Sequence, residues 1–239
     1  QGSELFTGAA LDGVPQEIND DEVGTMPDPA SATVLPWNPE VAWFASDLYL
    51  QEKPFNACCR TILKNTLKQA ADMGYQFNLG IETEFFILKD TETGFSPVSD
   101  RDTLPKAAYA LPTLLDNYKI LDRIVTAMND LGWDVYSFDH EDAQGQFETD
   151  FTYCDALTMA DRLTFFRLMV KELAREAGYF ASFMPKPYAN QTGSGAHYNM
   201  SLADIKTGEN LFEDASDPCG LSRLGYQFIA GVLKHAKQS

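Results

Sequence analysis

Basic residues are scarce in this sequence. Lys and Arg total 18 against 35 Asp and Glu, for a formal net charge of −17. Phosphate backbones need clustered Lys and Arg, so this balance argues against a nucleic-acid partner. It argues equally against an anionic membrane surface. Long apolar runs are also missing. No stretch reaches the roughly 18 apolar residues of a membrane-spanning helix, so no membrane association is expected. The first residues show no basic region followed by an apolar stretch, so no signal peptide is read. Cysteine is sparse: Cys58, Cys59, Cys154 and Cys219 fit no zinc spacing, and two are adjacent. Reduced thiols in the cytoplasm are the expectation. There is no internal repeat.

What is present is 239 residues, 44% of them hydrophobic. That suits one large domain, or one domain plus a piece of another, with a substantial core. The acidic excess either serves solubility or gathers carboxylates around cations. Residues 1–53 are rich in Gly, Pro and Asp. Asn19-Asp20-Asp21-Glu22 and Met26-Pro27-Asp28-Pro29 read as loop and turn, followed by strands at 31–35 and 41–50. Periodicity then predicts helices over 55–73, 111–131, 156–177 and 221–234, the first ended by Gly74 and the second by Gly132. Strands are predicted at 77–89, 133–138, 145–151, 181–184 and 196–202, with a turn-rich loop at 90–99. Several strands carry acidic residues on one side, unlike the continuous apolar strands of a buried parallel sheet. The fold class is therefore α+β, with a curved sheet whose polar face lines a cavity.

Three segments carry chemistry. Glu82 and Glu84, in Ile81-Glu82-Thr83-Glu84-Phe85-Phe86, sit two apart and share one strand face. Like charges on a half-buried surface repel and lose hydration, which a divalent cation relieves; a solvated edge strand is the plain alternative. Glu141 and Glu148 flank Gly145 in His140-Glu141-Asp142-Ala143-Gln144-Gly145-Gln146-Phe147-Glu148. A bend at Gly145 could bring both to one site of hard oxygen ligands suited to Mg²⁺ or Mn²⁺. An acidic surface hairpin, with Asp139 and Asp142 merely solvated, is the alternative. The third segment runs from Lys186-Pro187 through Thr192-Gly193-Ser194-Gly195 to His197 and Ser201. Its Gly-Ser-Gly turn lets a backbone approach a ligand. A lone His or a glycine turn says little; the ordered set says more.

Taken together, these segments resemble the glutamine synthetase family. The third matches the family's ATP-region signature. The first resembles its paired-glutamate strand and the second its Glu…Gly-Gln-x-Glu segment. Met26-Pro27-Asp28 resembles the end of its N-terminal β-grasp domain. All four occur in family order.

The resemblance implies a partial β-grasp domain over 1–53 and part of a catalytic domain over 54–239. That catalytic part would be a largely antiparallel half-barrel with helices outside. It implies two divalent-metal sites, Mg²⁺ or Mn²⁺. Glu84, Glu141 and Glu148 would hold one metal, and Glu82 and His197 the other, with a further Glu beyond Ser239. Thr192 and Gly193 would bind glutamate. Tyr153, Asn199 and Ser201 would lie near the nucleotide. The implied reaction uses ATP to phosphorylate the glutamate side chain, and an amine then displaces phosphate from the γ-glutamyl phosphate. Ammonia is the leading acceptor. Methylamine is the alternative, because relatives sharing the His-Glu-Asp-Ala-x-Gly-Gln-Phe-Glu wording include methylamine ligases. Moreover, Phe6-Thr7-Gly8-Ala9-Ala10 lacks the acid that binds ammonium in many members, although Asp12 is close. An inert scaffold is a reading from another class, and the intact set of five ligand positions weighs against it. The family implies a large homo-oligomer, a dodecamer with sites shared between subunits. Its phosphate-binding arginines and mobile flap are expected downstream of this chain.

Overall fold

A computed structural model describes residues 22–238, together with the strand backbone at Glu4–Phe6. The loop of residues 7–10, Asp12 and Asn19-Asp20-Asp21 lie outside the described residues. Strands β1 (Glu4–Phe6), β2 (Val23–Pro27), β5 (Ser46–Leu50) and β6 (Lys53–Pro54) form one antiparallel sheet in the order β1-β2-β5-β6. A separate hairpin pairs β3 (Thr33–Leu35) with β4 (Asn38–Trp43). Helix α1 (Cys59–Asp72) leads from this part into β7 (Tyr75–Thr91). Gly74 makes the turn with φ +89°, a conformation that costs glycine little.

β7 is 17 residues long and organises everything after it. One edge takes β13 (Ala196–Asp204) and then β12 (Phe180–Ser182). The other edge takes β11 (Cys154–Asp155), β10 (Gln146–Phe151) and β8 (Gly94–Pro97). The edges follow from shared partners: Thr83 pairs with both Thr149 and Ala196, which must flank it on opposite sides. β9 (Val135–His140) completes the sheet beyond β10. Every one of these pairings is antiparallel, so the expected α+β architecture holds.

The two faces of β7 differ. Leu79, Ile81, Phe85 and Ile87 point to a core shared with helices α3 (Tyr118–Asp130) and α4 (Ala156–Glu176). Phe165, Phe166, Met169, Val170 and Leu173 supply the α4 side, at helical spacing. Each fully buried Phe or Leu contributes roughly 2 kcal/mol. Asp155 caps α4 through its carboxylate, which accepts from the Thr158 N–H at 3.0 Å. The opposite face is polar around Glu82 and Glu84. It closes over a small apolar cluster of Phe86, Leu88 and Ala143, with Phe180 and Tyr188 against it.

The structure refines several sequence expectations. The helix expected over 111–131 is two, α2 (Leu111–Asp116) and α3, broken at Asn117. The buried Asn117 amide donates to the Thr113 carbonyl at 2.8 Å, competing with the helix ladder there. The strand expected over 41–50 is two strands of different sheets. Met26-Pro27 lies in a strand rather than a turn, with Pro27 at its last position. The 90–99 loop contains β8, which folds back on β7 as a hairpin. A final helix, α5 (Arg223–His235), is capped by Ser222, which accepts from the Gly225 N–H.

Arg60 ties the parts together. Its guanidinium donates to both carboxylate oxygens of Asp161 on α4, to Asp47 on β5 and to Asp28 after β2, at 2.7–3.0 Å. The three carboxylates, Asp161 foremost, hold the Arg60 pKa far above its ordinary value. A cavity of about 580 Å³ lies beside this cluster, lined by Trp43, Trp133, Phe165 and Arg60 among others. None of the five expected metal ligands lines it.

Candidate metal centre

Antiparallel pairing sets the geometry of the polar face. Glu82 stands directly opposite His197, and Glu84 directly opposite Glu148. Glu148 in turn stands opposite Asp139 on β9. Cross-strand partners share a face, as do residues two apart on one strand. One face therefore presents Glu82, Glu84, Glu148, Asp139, Asp150 and His197, with Glu141 just past the end of β9. Ligand atoms of Glu82, Glu148 and His197 all lie within 4.8 Å of one another. This grouping draws one residue from the expected first-metal set and two from the second.

These carboxylates crowd without enough partners. Burial raises the Glu84 pKa, and repulsion from Glu141 adds to that, against a hydrogen bond from Gly195 and the pull of His197. Burial also pushes Glu148 up to about 8, with the charge of Asp150, a hydrogen bond to Glu141 and the charges of Glu141 and Glu84 acting the same way. Asp150 is pushed up to about 6, by burial and then by Glu82, Asp139 and Glu141. Glu148 Oε1 is buried with no hydrogen-bond partner. An orphaned buried carboxylate oxygen facing other carboxylates and an imidazole suits a divalent cation. The residues present therefore fit Mg²⁺ or Mn²⁺.

His197 is oriented for such a role. Its Nδ1 lies 3.2 Å from Glu82 Oε2, a carboxylate that can only accept when ionised. The proton therefore sits on Nδ1, leaving Nε2 as an acceptor on the side of Gly195 and Glu84. Asn199 holds the other oxygen of Glu82, donating at 2.7 Å.

The Gly193-Ser194-Gly195 turn packs against this face. A Cβ at Gly193 would meet the Pro185 carbonyl oxygen at 2.6 Å, and one at Gly195 would meet Glu84 Oε1 at 3.0 Å. At Gly193 the clash is with backbone, so a side chain there would force the turn or Pro185 to move; at Gly195 the neighbour is the end of the Glu84 side chain. Thr192 Oγ1 donates to the Asp142 carboxylate, which links the two chemical segments. Asp142 is thus engaged rather than merely solvated.

Tyr153 is 62% exposed beside Gly80, where a Cβ would sit 3.3 Å from Tyr153 Cβ and 3.6 Å from Asn199 Cβ. Tyr153 and Asn199 therefore flank one glycine at the rim of the acidic face. Ser201 pairs with Asn78, four positions from His197, so it stands roughly 13 Å farther along the strand.

Two contributors escaped the sequence reading. Asp150 shares the face with Glu148, and strict two-residue alternation from Glu148 would have pointed to it. The buried pair Asp102–His140 carried no local signal, being 38 residues apart in sequence. His140 Nδ1 faces the Glu141 carbonyl at 2.7 Å and Nε2 faces Asp102 Oδ2 at 2.8 Å. Both nitrogens thus face acceptors. Burial opposes protonation of His140, but the Asp102 bond and charge outweigh it and raise the pKa. Asp102 Oδ2 also accepts from the Gly145 N–H at 2.6 Å, so the pair braces the bend between Glu141 and Glu148.

A braced set of carboxylates and one imidazole on an antiparallel sheet, beside a glycine turn, forms a candidate metal centre rich in carboxylates. The chain belongs to the glutamine synthetase family: the model of the glutamine synthetase catalytic domain matches residues 56–239. It is 41% identical over 234 residues to a glutamate–methylamine ligase of Methyloversatilis universalis, covering 97% of this chain and 52% of that protein. It is 39% identical over 212 residues to a glutamine synthetase of Rhizobium meliloti, covering 88% of this chain and 48% of that protein. A solved structure described as a GmaS/ADP complex superposes with a TM-score of 0.90 at 39% identity, covering 99% of this chain and 54% of that one. The chain thus spans about half the length of the relatives it matches. Among the described residues, no helix is long and apolar enough to cross a membrane.

Proposed function

We propose that the protein carrying this chain is an ATP-dependent, ADP-forming ligase that joins the glutamate side-chain carboxylate to a small amine. The observation that carries this is the convergence of Glu82, Glu148 and His197 beside the Gly193–Gly195 turn, with Glu148 Oε1 buried and unpaired. Glu84, Glu141 and Glu148 would hold one divalent cation, and Glu82 and His197 would contribute to a second. Bound there, such cations neutralise charge on the transferring phosphoryl group.

The chain's own residues do the positioning. Glu82 fixes the His197 tautomer. The backbone of Thr192 and Gly193 lies where a glutamate could be oriented against the acidic face. Tyr153 offers an exposed ring for an adenine, with Asn199 and Ser201 on the adjacent strand. The two steps are phosphorylation of the glutamate carboxylate by ATP, then displacement of phosphate by the amine.

Ammonia is the leading acceptor. The relative from Methyloversatilis universalis, together with the lack of an acid between Phe6 and Ala10, favours methylamine as the second reading. We place the reaction in the cytoplasm, which the four free thiols support. A dodecameric ring with shared active sites is the proposed assembly. In it, the segment 1–53 as a β-grasp unit would pack on a neighbouring catalytic domain. Val34, Val41 and Phe44 are exposed apolar side chains in this segment.

The test is ADP release by the full-length protein with glutamate, ATP and Mg²⁺, adding ammonium or methylamine in turn. Amine-dependent release is expected, and the ratio of kcat/KM values assigns the acceptor. No release with either amine from a folded, metal-loaded oligomer would turn the reading toward an inert scaffold.

A further inference from the structure

Gln146 is fully buried, yet it touches both halves of the candidate centre. Its Oε1 accepts from the Ala143 N–H at 2.9 Å. Its Nε2 donates to Glu84 Oε2 at 2.6 Å and reaches the Gly193 carbonyl at 3.2 Å and Ser194 Oγ at 3.3 Å. An amide NH₂ has two hydrogens. The short contact to Glu84 claims one, and the turn shares the other. One side-chain amide therefore holds a candidate metal ligand and the candidate glutamate turn at once.

We propose that Gln146 is a positioning residue that couples cation binding at Glu84 to glutamate binding at the Gly193–Gly195 turn; this rests on the ligase reading above. The contacts fix how the coupling works. With Oε2 held by Gln146, Glu84 presents Oε1 on the side of Gly195 and His197 Nε2. Any cation that draws on Glu84 also orders the amide that holds the Gly193 carbonyl. A ligand that orders the turn orders Glu84 in return. The anchored Oε1 of Gln146 prevents the amide from following either partner alone. Buried networks of this kind are rigid when every member is satisfied. Coupling between two sites is reciprocal, so it is measurable from either ligand.

The experiment uses the full-length protein. Mn²⁺ affinity is measured by electron paramagnetic resonance with and without glutamate, and glutamate affinity by calorimetry with and without Mn²⁺. In the wild type each ligand is expected to tighten the other by roughly fivefold or more, and in Gln146→Met and Gln146→Glu this factor should fall below about twofold. Gln146→Glu is nearly isosteric and keeps the acceptor for Ala143, so it serves if the methionine variant fails to fold. Direct attraction between a cation and a glutamate carboxylate survives both substitutions. A coupling factor retained in a folded variant therefore overturns the proposal. So does a wild type in which both ligands bind without affecting each other. A wild type that binds neither Mn²⁺ nor glutamate overturns the ligase reading itself, and this inference with it.

Discussion

Glu84 and Glu148 face each other across adjacent antiparallel strands, as a directly opposed pair. Like charges in that relation are destabilising. The sheet holds them there because Phe85 and Phe147, their chain neighbours, are buried on the other face. Replacing Glu148 with Gln removes the repulsion and brings an NH₂ that can donate to a neighbouring carboxylate. We expect the metal-free protein to gain on the order of 1 kcal/mol at pH 8, after discounting for solvent screening. Mn²⁺ affinity should fall by roughly 10–100-fold. Denaturant melts and Mn²⁺ titrations check the two halves, and a variant less stable than wild type would contradict the first.

The raised carboxylates make metal-free stability depend on pH. A carboxylate with a folded pKa above its unfolded value contributes stability below the unfolded pKa. That stability is lost as pH rises through the folded pKa. For Glu148 the window runs from 4.5 to about 8, and for Asp150 from 3.8 to about 6. The metal-free protein should therefore lose stability between about pH 5 and pH 8. Near pH 7 Glu148 is still largely protonated, so cation binding should release close to one proton. Calorimetry in buffers of different ionisation enthalpy counts that proton.

Gly193→Ala should be costly for a local reason. Its Cβ would lie 2.6 Å from a backbone oxygen, so the turn or Pro185 must move. We expect about 1–3 kcal/mol of destabilisation. KM for glutamate should rise more than KM for ATP. Gly208→Ala, with open space around its Cβ but φ +74°, is the control for backbone strain alone.

Arg60 predicts a different failure. Removing it strands Asp161 and takes the cation from Asp28, while Asp47 keeps Lys64 at 2.6 Å, at the junction of β2, β5, α1 and α4. Arg60→Met should cost about 3–5 kcal/mol, and Arg60→Lys should recover little, because an ammonium cannot grip Asp161 with two parallel bonds. Urea unfolding of the two variants tests this. Near-wild-type stability in the lysine variant would argue that only charge matters there.

The local patterns in the sequence carried the acidic face well. Two-residue spacing put Glu82 and Glu84 together, and the run from Thr192 to His197 put a glycine turn beside an imidazole. The α4 stripe was equally readable, because helical periodicity is a local property. What escaped depends on partners distant in sequence. The break at Asn117 comes from a side chain bonding back to Thr113, which apolar periodicity ignores. The division between β4 and β5 reflects which sheet each joins. Asp102 and His140 meet only because the loop before α2 lies over the bend at Gly145. The five strands that gather on β7 follow from register, which no single segment encodes.

That register has a consequence for how the chain reaches its native state. Along β7 the apolar and acidic positions alternate strictly from Leu79 to Phe85, apart from Gly80 and Thr83. A slip of one residue against β10 or β13 would drive Glu82 and Glu84 into the aromatic core and expose Ile81 and Phe85 to water. Mispaired chains would thus be heavily penalised at the same residues that are proposed to bind cations. The acidic face acts as a proofreading device during assembly, rejecting wrong alignments before any cation arrives.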